Sequence, residues 1–142
     1  MCGIVGVAAE RNAYKILIEG LRRLEYRGYD SAGISMIDRH NHLETRKAKG
    51  KVADLEALAA LDPVAGHTGI AHTRWATHGE PSTANSHPHT SGGVAIVHNG
   101  IIENHDALRV ELRDQNYHFT SITDSEVIAH LIHSCLKKEP NL

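Results

Sequence analysis

Met1-Cys2-Gly3-Ile4-Val5-Gly6 opens the chain, and the apolar run continues through Val7, Ala8 and Ala9 until Glu10 and Arg11 break it. From Cys2 to Ala9 the residues are apolar at odd and even positions alike, which predicts a strand covered on both faces, and so a layered fold. The same stretch carries chemistry. Methionine aminopeptidases remove an initiator Met that precedes a small residue, so the mature chain is expected to begin at Cys2. One residue would then hold both a thiol and a free α-amine. Their ordinary pKa values, about 8.5 and about 7.7–8.0, are close enough for cheap proton transfer from sulfur to nitrogen. A nucleophile with its own base needs no histidine partner, as N-terminal threonine nucleophiles illustrate. The bland alternative is a small buried hydrophobe in an edge strand, the usual fate of a free cysteine.

Outward from this stretch, composition narrows the possibilities. With 142 residues, 41% hydrophobic and 23% charged, the chain is long enough for a real core and is of ordinary soluble globular type. A net charge of -2 without a basic cluster argues against a nucleic-acid partner. The leading apolar run is too short to span a bilayer and lacks the preceding basic segment of a signal peptide, so no membrane partner is expected. Cys2 and Cys135 are the only cysteines, which excludes a disulfide framework and suits a reducing cytoplasm.

Asn12 can cap a helix reaching about Tyr26, with Ile16, Leu17, Leu21 and Leu24 near helical spacing, and Gly28 breaks it. Strands are expected at Ala32–Ile37 and Leu43–Ala48 around a turn at Asp38–His42, and a helix from Val52 to Leu61. Thr68–Thr73 and Val94–His98 read as strands flanking an unusually long loop, Arg74–Gly93, of the kind used for lids and binding loops. An amphipathic helix is expected over His105–Gln115. Thr123-Asp124-Ser125-Glu126 has the form of a capping box opening a last helix toward Lys137 and Lys138.

Acyl transfer from an N-terminal thiol needs oxyanion donors and a grip on the substrate's charges. Asn99-Gly100 at the end of an apolar strand offers a side-chain amide and a backbone N–H to one spot. Asn-Gly is also the strongest short hairpin signal, although Ile101-Ile102-Glu103 leads into a helix rather than a returning strand. Arg74 at the loop mouth can grip a carboxylate with two parallel bonds. Asp124 can meet an ammonium group, but by its local setting it reads as a helix cap. Arg27 is either a second charge holder or a surface ion-pair partner. Among the twelve histidines, His87-Pro88-His89 with His72, His78 and His98 raises the alternative of a noncatalytic metal-binding module, although no cysteine or acidic residue completes a standard zinc set.

Together these residues resemble the glutamine amidotransferases of the N-terminal nucleophile type, and among them the branch that aminates fructose 6-phosphate. The resemblance is carried by Met1–Gly6, Leu21–Gly33 (LRRLEYRGYDSAG), His72–Pro81 (HTRWATHGEP), His98–Asn104 (HNGIIEN) and Thr123–Ile128. The phosphoribosyl and asparagine branches have other residues around Arg27-Gly28, and an amidophosphoribosyltransferase-like glutaminase is the nearer alternative. The resemblance implies an α+β fold, a four-layer α/β/β/α sandwich of the N-terminal-nucleophile hydrolase kind. Residues 1–142 would be the first part of a glutaminase domain, without the sugar-isomerase domains. It also implies L-glutamine as substrate, with fructose 6-phosphate reached only through those isomerase domains. No metal and no organic cofactor is implied, and the full-length enzyme would be a homo-oligomer. In this likeness Cys2 is the nucleophile, and Asn99 and Gly100 form the oxyanion hole. Arg74 holds the α-carboxylate and Asp124 the α-ammonium, Thr77 and His78 line the pocket, Arg27 supports the site, and Trp75 closes it and gates ammonia.

Overall fold

The computed structural model describes residues 1–77 and 79–141. Strands β1 (Gly3–Ala8), β2 (Ser31–Ile37), β3 (Leu43–Lys49) and β4 (Thr68–Arg74) form an antiparallel sheet in the order β1-β4-β2-β3. Two helices, α1 (Tyr14–Leu24) and α2 (Val52–Leu61), cover one face. Leu17 and Leu21 form an apolar stripe on α1 that is fully buried, while Glu19, Arg22 and Arg23 stay outside. The cap residue of α1 is Ala13 rather than the expected Asn12, whose Oδ1 still accepts the Tyr14 N–H at 3.1 Å. The helix tightens into a short 3-10 turn at Glu25–Arg27 before Gly28 returns the chain to extended geometry. Ala32, Ile34 and Met36 of β2 meet Leu17, Leu21, Val52 and Leu55 in the core beneath these helices.

Against the other face lies a two-stranded sheet, β5 (His89–Ser91) and β6 (Val94–Ile96), closed around Gly92 at φ +57°. The long helix α4 (Glu126–Lys138) covers that sheet, and α3 (His105–Asp114) packs on α4. The layers therefore run helix, sheet, sheet, helix, as the resemblance implied. The two sheets touch where β2 meets the loop before β5. A side chain at Gly33 would run into the carbonyl oxygen of His87 and come within 3.0 Å of Pro88.

Three further expectations fail. The strand covered on both faces is β2, buried from Ser31 to Met36, whereas β1 alternates. The reason is position: β1 is an edge strand, with Val5 and Val7 under the helices but Ile4 still 41% exposed on the other side. The loop after β4 also stops short of Gly93, because His89–Ser91 pairs with Val94–Ile96. Finally, Glu126 forms no capping box, and the cap residue of α4 is Ser125, without a side-chain bond. The Glu126 carboxylate instead reaches back to the N–H groups of Thr120 at 2.8 Å and Ser121 at 2.7 Å, and to both hydroxyls. It anchors the approach to the helix rather than its first turn.

Because Gly33 leaves no room for a Cβ, Gly33→Ala should destabilise the fold by about 1–3 kcal/mol through overpacking, read from urea unfolding midpoints.

Candidate active site

The register of β1 on β4, with Gly3 opposite Thr73, brings Cys2 beside the residues that follow β4. The Trp75 N–H donates to the Cys2 sulfur at 3.2 Å, and the Gly3 N–H donates to Thr73 Oγ1 at 3.2 Å. From the other sheet, Asn99 donates through Nδ2 to the carbonyl oxygen of Cys2 at 3.1 Å. Its Oδ1 lies 2.8 Å from Nε2 of His72. Asn99-Gly100 makes no hairpin: the chain runs on to Ile102, whose N–H donates to Asp124 Oδ2 at 2.7 Å, and then into α3.

A cleft of about 410 Å³ gathers Cys2, Asn99, Gly100, Arg74, Trp75, Thr77, Asp124 and Arg27. His78 lies outside the described residues. A larger groove of about 860 Å³ opens among the loops after β2 and α2, and none of the predicted site residues lines it. Its half-buried Arg46 is already paired with Glu44 and Asp62, so the smaller cleft is the candidate site.

The side chains in the cleft are held by their surroundings. Arg74 is 4% exposed and donates to the carbonyls of Glu80 at 3.2 Å and Gly79 at 3.3 Å, so its fork braces the loop that follows it. The segment after β4 is pinned from below by Asp30, whose carboxylate accepts from the Ala76 N–H and the Ser31 hydroxyl. Gly28 lies flush on it, since a Cβ there would be 2.7 Å from the Arg74 carbonyl carbon and 2.8 Å from the Trp75 nitrogen. Tyr29 meets Trp75 edge to face at 5.2 Å. Arg27 is half-buried, with a guanidinium nitrogen 3.7 Å from the Met1 sulfur. Asp124 is buried and, through Ile102, fastens the Asn99-Gly100 corner to the start of α4 rather than capping that helix with its side chain.

Sequence reasoning did not place His87, His98, Thr123 and Ser125 in the cleft, and the only individual role it raised for His87 and His98 was as metal ligands. Instead, His98 Nδ1 pairs with Ser125 Oγ at 3.0 Å, and His89 Nε2 with Thr123 Oγ1 at 2.8 Å. Burial lowers the pKa of His72 to about 4, with the Asn99 bond opposing and Arg74 and His98 adding to the fall. Burial, helped by Lys47, lowers His89 to about 3, and His87 is pushed far down by burial and by its histidine neighbours. All three rings are neutral near pH 7.

A family model described as a glutamine amidotransferase domain matches residues 72–140. The glutamine–fructose-6-phosphate aminotransferase (isomerizing) of Pseudomonas putida is 62% identical over the whole of this chain. The chain belongs to the glutamine amidotransferases. The Escherichia coli K12 relative of the same name is 58% identical over 97% of this amidotransferase chain, and that of Vibrio cholerae 57% over all of it. The amidotransferase chain spans 23% of the length of each of these relatives. Among solved structures, the glutamine phosphoribosylpyrophosphate amidotransferase of B. subtilis with ADP and GMP aligns at a TM-score of 0.77 and 30% identity. That alignment covers 94% of this chain and 29% of the other. It agrees with the sandwich fold of this amidotransferase.

The buried neutral histidines link stability to acid. The unfolded chain takes up a proton on each below about pH 6.5, whereas folded His72 resists until about 4, so stability is complete above 6.5 and falls with pH between these values. The expected slope is about 1.4 kcal/mol per pH unit for each such histidine, measurable by urea unfolding at a series of pH values.

Proposed function

We propose that this chain hydrolyses the side-chain amide of glutamine through Cys2 and supplies the ammonia for amination of fructose 6-phosphate to glucosamine 6-phosphate. The observation that carries this is the Asn99 amide bonded to the carbonyl of Cys2, beside the sulfur. Met1 is 81% exposed, so an aminopeptidase has access to it, and its removal turns the Cys2 nitrogen into a free amine. That amine takes the thiol proton, and the thiolate attacks the amide carbon. The second hydrogen of Asn99 Nδ2 and the Gly100 N–H stabilise the oxyanion, an effect commonly worth about 10² to 10³ in turnover per donor. Collapse of the tetrahedral intermediate breaks the C–N bond; the ammonium of Cys2 protonates the leaving nitrogen, and a γ-glutamyl thioester remains. Water, deprotonated by the same amine, then releases glutamate.

We assign Arg74 to the substrate α-carboxylate, with Thr77 lining the same cleft, and Asp124 to the α-ammonium; a pocket role for His78 is carried by the family likeness alone. The loop carbonyls and Ile102 preset their directions. Arg27 supports the mouth of the cleft, and Trp75 closes it and gates ammonia. The choice of acceptor is supported by relatives at 57–62% identity that are named for fructose 6-phosphate, against 30% for the phosphoribosylpyrophosphate enzyme. We place the sugar half-reaction in polypeptide beyond residues 1–142, where the sugar-isomerase domains would lie. We place the chain in the cytoplasm, a reading supported by its two free cysteines.

In the complete natural polypeptide, Cys2→Ala should abolish glutamate release, and unchanged release would refute the mechanism. Intact mass after treatment with a glutamine-like alkylator should show one adduct on a chain lacking Met1. An unmodified chain, or an adduct on a chain that keeps Met1, would contradict the proposal.

A further inference from the structure

An asparagine amide can sit either way round, and the two orientations act oppositely on a nearby oxyanion: the NH2 end stabilises it and the oxygen repels it. Here the neighbours decide. The carbonyl oxygen of Cys2 can only accept, so the end of Asn99 that lies 3.1 Å away is the NH2. The amide oxygen therefore faces His72 Nε2 at 2.8 Å, and since that oxygen also can only accept, Nε2 carries a proton.

His72 is placed to keep that arrangement. It stands in the middle of β4, opposite Ile4 of β1 and Gly33 of β2, and is fully buried between the sheets. Its ring lies against His87, centroids 4.2 Å apart, so it cannot swing away without moving the loop before β5. Burial keeps the ring neutral near pH 7, with its one proton committed to Asn99. Among the described residues its Nδ1 has no hydrogen-bond partner, so no competing contact turns the ring over.

We infer that His72 is a positioning residue for the oxyanion hole: its Nε2–H holds the Asn99 amide oxygen and thereby presents the amide NH2 on the Cys2 side of the cleft. The inference rests on the reading of Asn99 as an oxyanion donor. His72 touches no reacting atom and acts only through that amide.

The test uses glutamate release by the complete natural polypeptide. H72F and H72M remove the donor, H72Q retains one, and N99A removes the amide. In H72F and H72M, kcat should fall by about 10- to 100-fold, less than the roughly 10² to 10³ for removing an oxyanion donor outright, because the amide is misdirected rather than lost. KM for glutamine should stay within about twofold, the pattern of an interaction made only in the transition state. H72Q should recover most of kcat, and H72F combined with N99A should be no slower than N99A alone. Alkylation of Cys2 by iodoacetamide forms no oxyanion and should keep its rate, which reports that the site remains assembled. If H72F does not fold, H72M supplies the donor-free arm. Wild-type kcat in a folded donor-free variant, alongside a slow N99A, would overturn the inference and leave Asn99 standing. An H72Q as slow as H72F would also overturn it, because packing rather than donation would then be at work. Wild-type kcat in N99A would remove the oxyanion reading itself, and the inference with it.

Discussion

The register between β1 and β4 is the constraint on which the rest depends. Gly3 opposite Thr73 means that the residue before β1 and the residues after β4 share one end of the sheet. Pairing of Ser31 with Arg74 brings the loop before β2 to that same end. Thiol, guanidinium and the Arg27-Gly28 loop therefore meet without any long segment being fixed at entropic expense. A slip by one residue would turn every side chain of β1 to the opposite face and move the sulfur away from the Trp75 N–H. The Asn99 corner completes the site from the second sheet, which is why both the spacing of the layers and the missing Cβ of Gly33 matter to chemistry.

The elements with strong local signals were legible in the sequence. Val52–Leu61 is a helix with the bounds its composition predicts, and β2, β3 and β4 begin or end within one residue of expectation. What local pattern does not carry is position within a sheet. An apolar run looks the same at an edge as at a centre, so β1 was read as covered on both faces although Ile4 is open. The capping box failed for a related reason: the Thr123 N–H that Glu126 would meet in such a box bonds to the Ser121 hydroxyl oxygen, and the Glu126 carboxylate takes the N–H groups of Thr120 and Ser121.

In the candidate site, the described residues suggested by chemistry and by resemblance line one cleft, but several are held differently from their local reading. Asp124 is tied to Ile102 rather than to the first turn of α4, and Arg74 to the carbonyls of Gly79 and Glu80. These bonds join residues far apart in the chain or cross a loop whose path no periodicity describes. The histidines were the least legible part. A metal module was the alternative they raised, yet most of those near the cleft each lean on one polar neighbour: His72 on Asn99, His89 on Thr123, His98 on Ser125. Spacing in the sequence does not distinguish an imidazole that binds metal from one that orients an amide; the depth of burial and the identity of the neighbour do.

The open side of β1 bears on how this polypeptide behaves in the test tube. Ile4 sits on an edge strand with its backbone ladder and an apolar flank both facing water. Such a border is sticky toward another copy of itself, and association grows with concentration whereas catalysis by one cleft does not. For these residues handled as an isolated piece, dilution rather than temperature is the variable that keeps molecules apart.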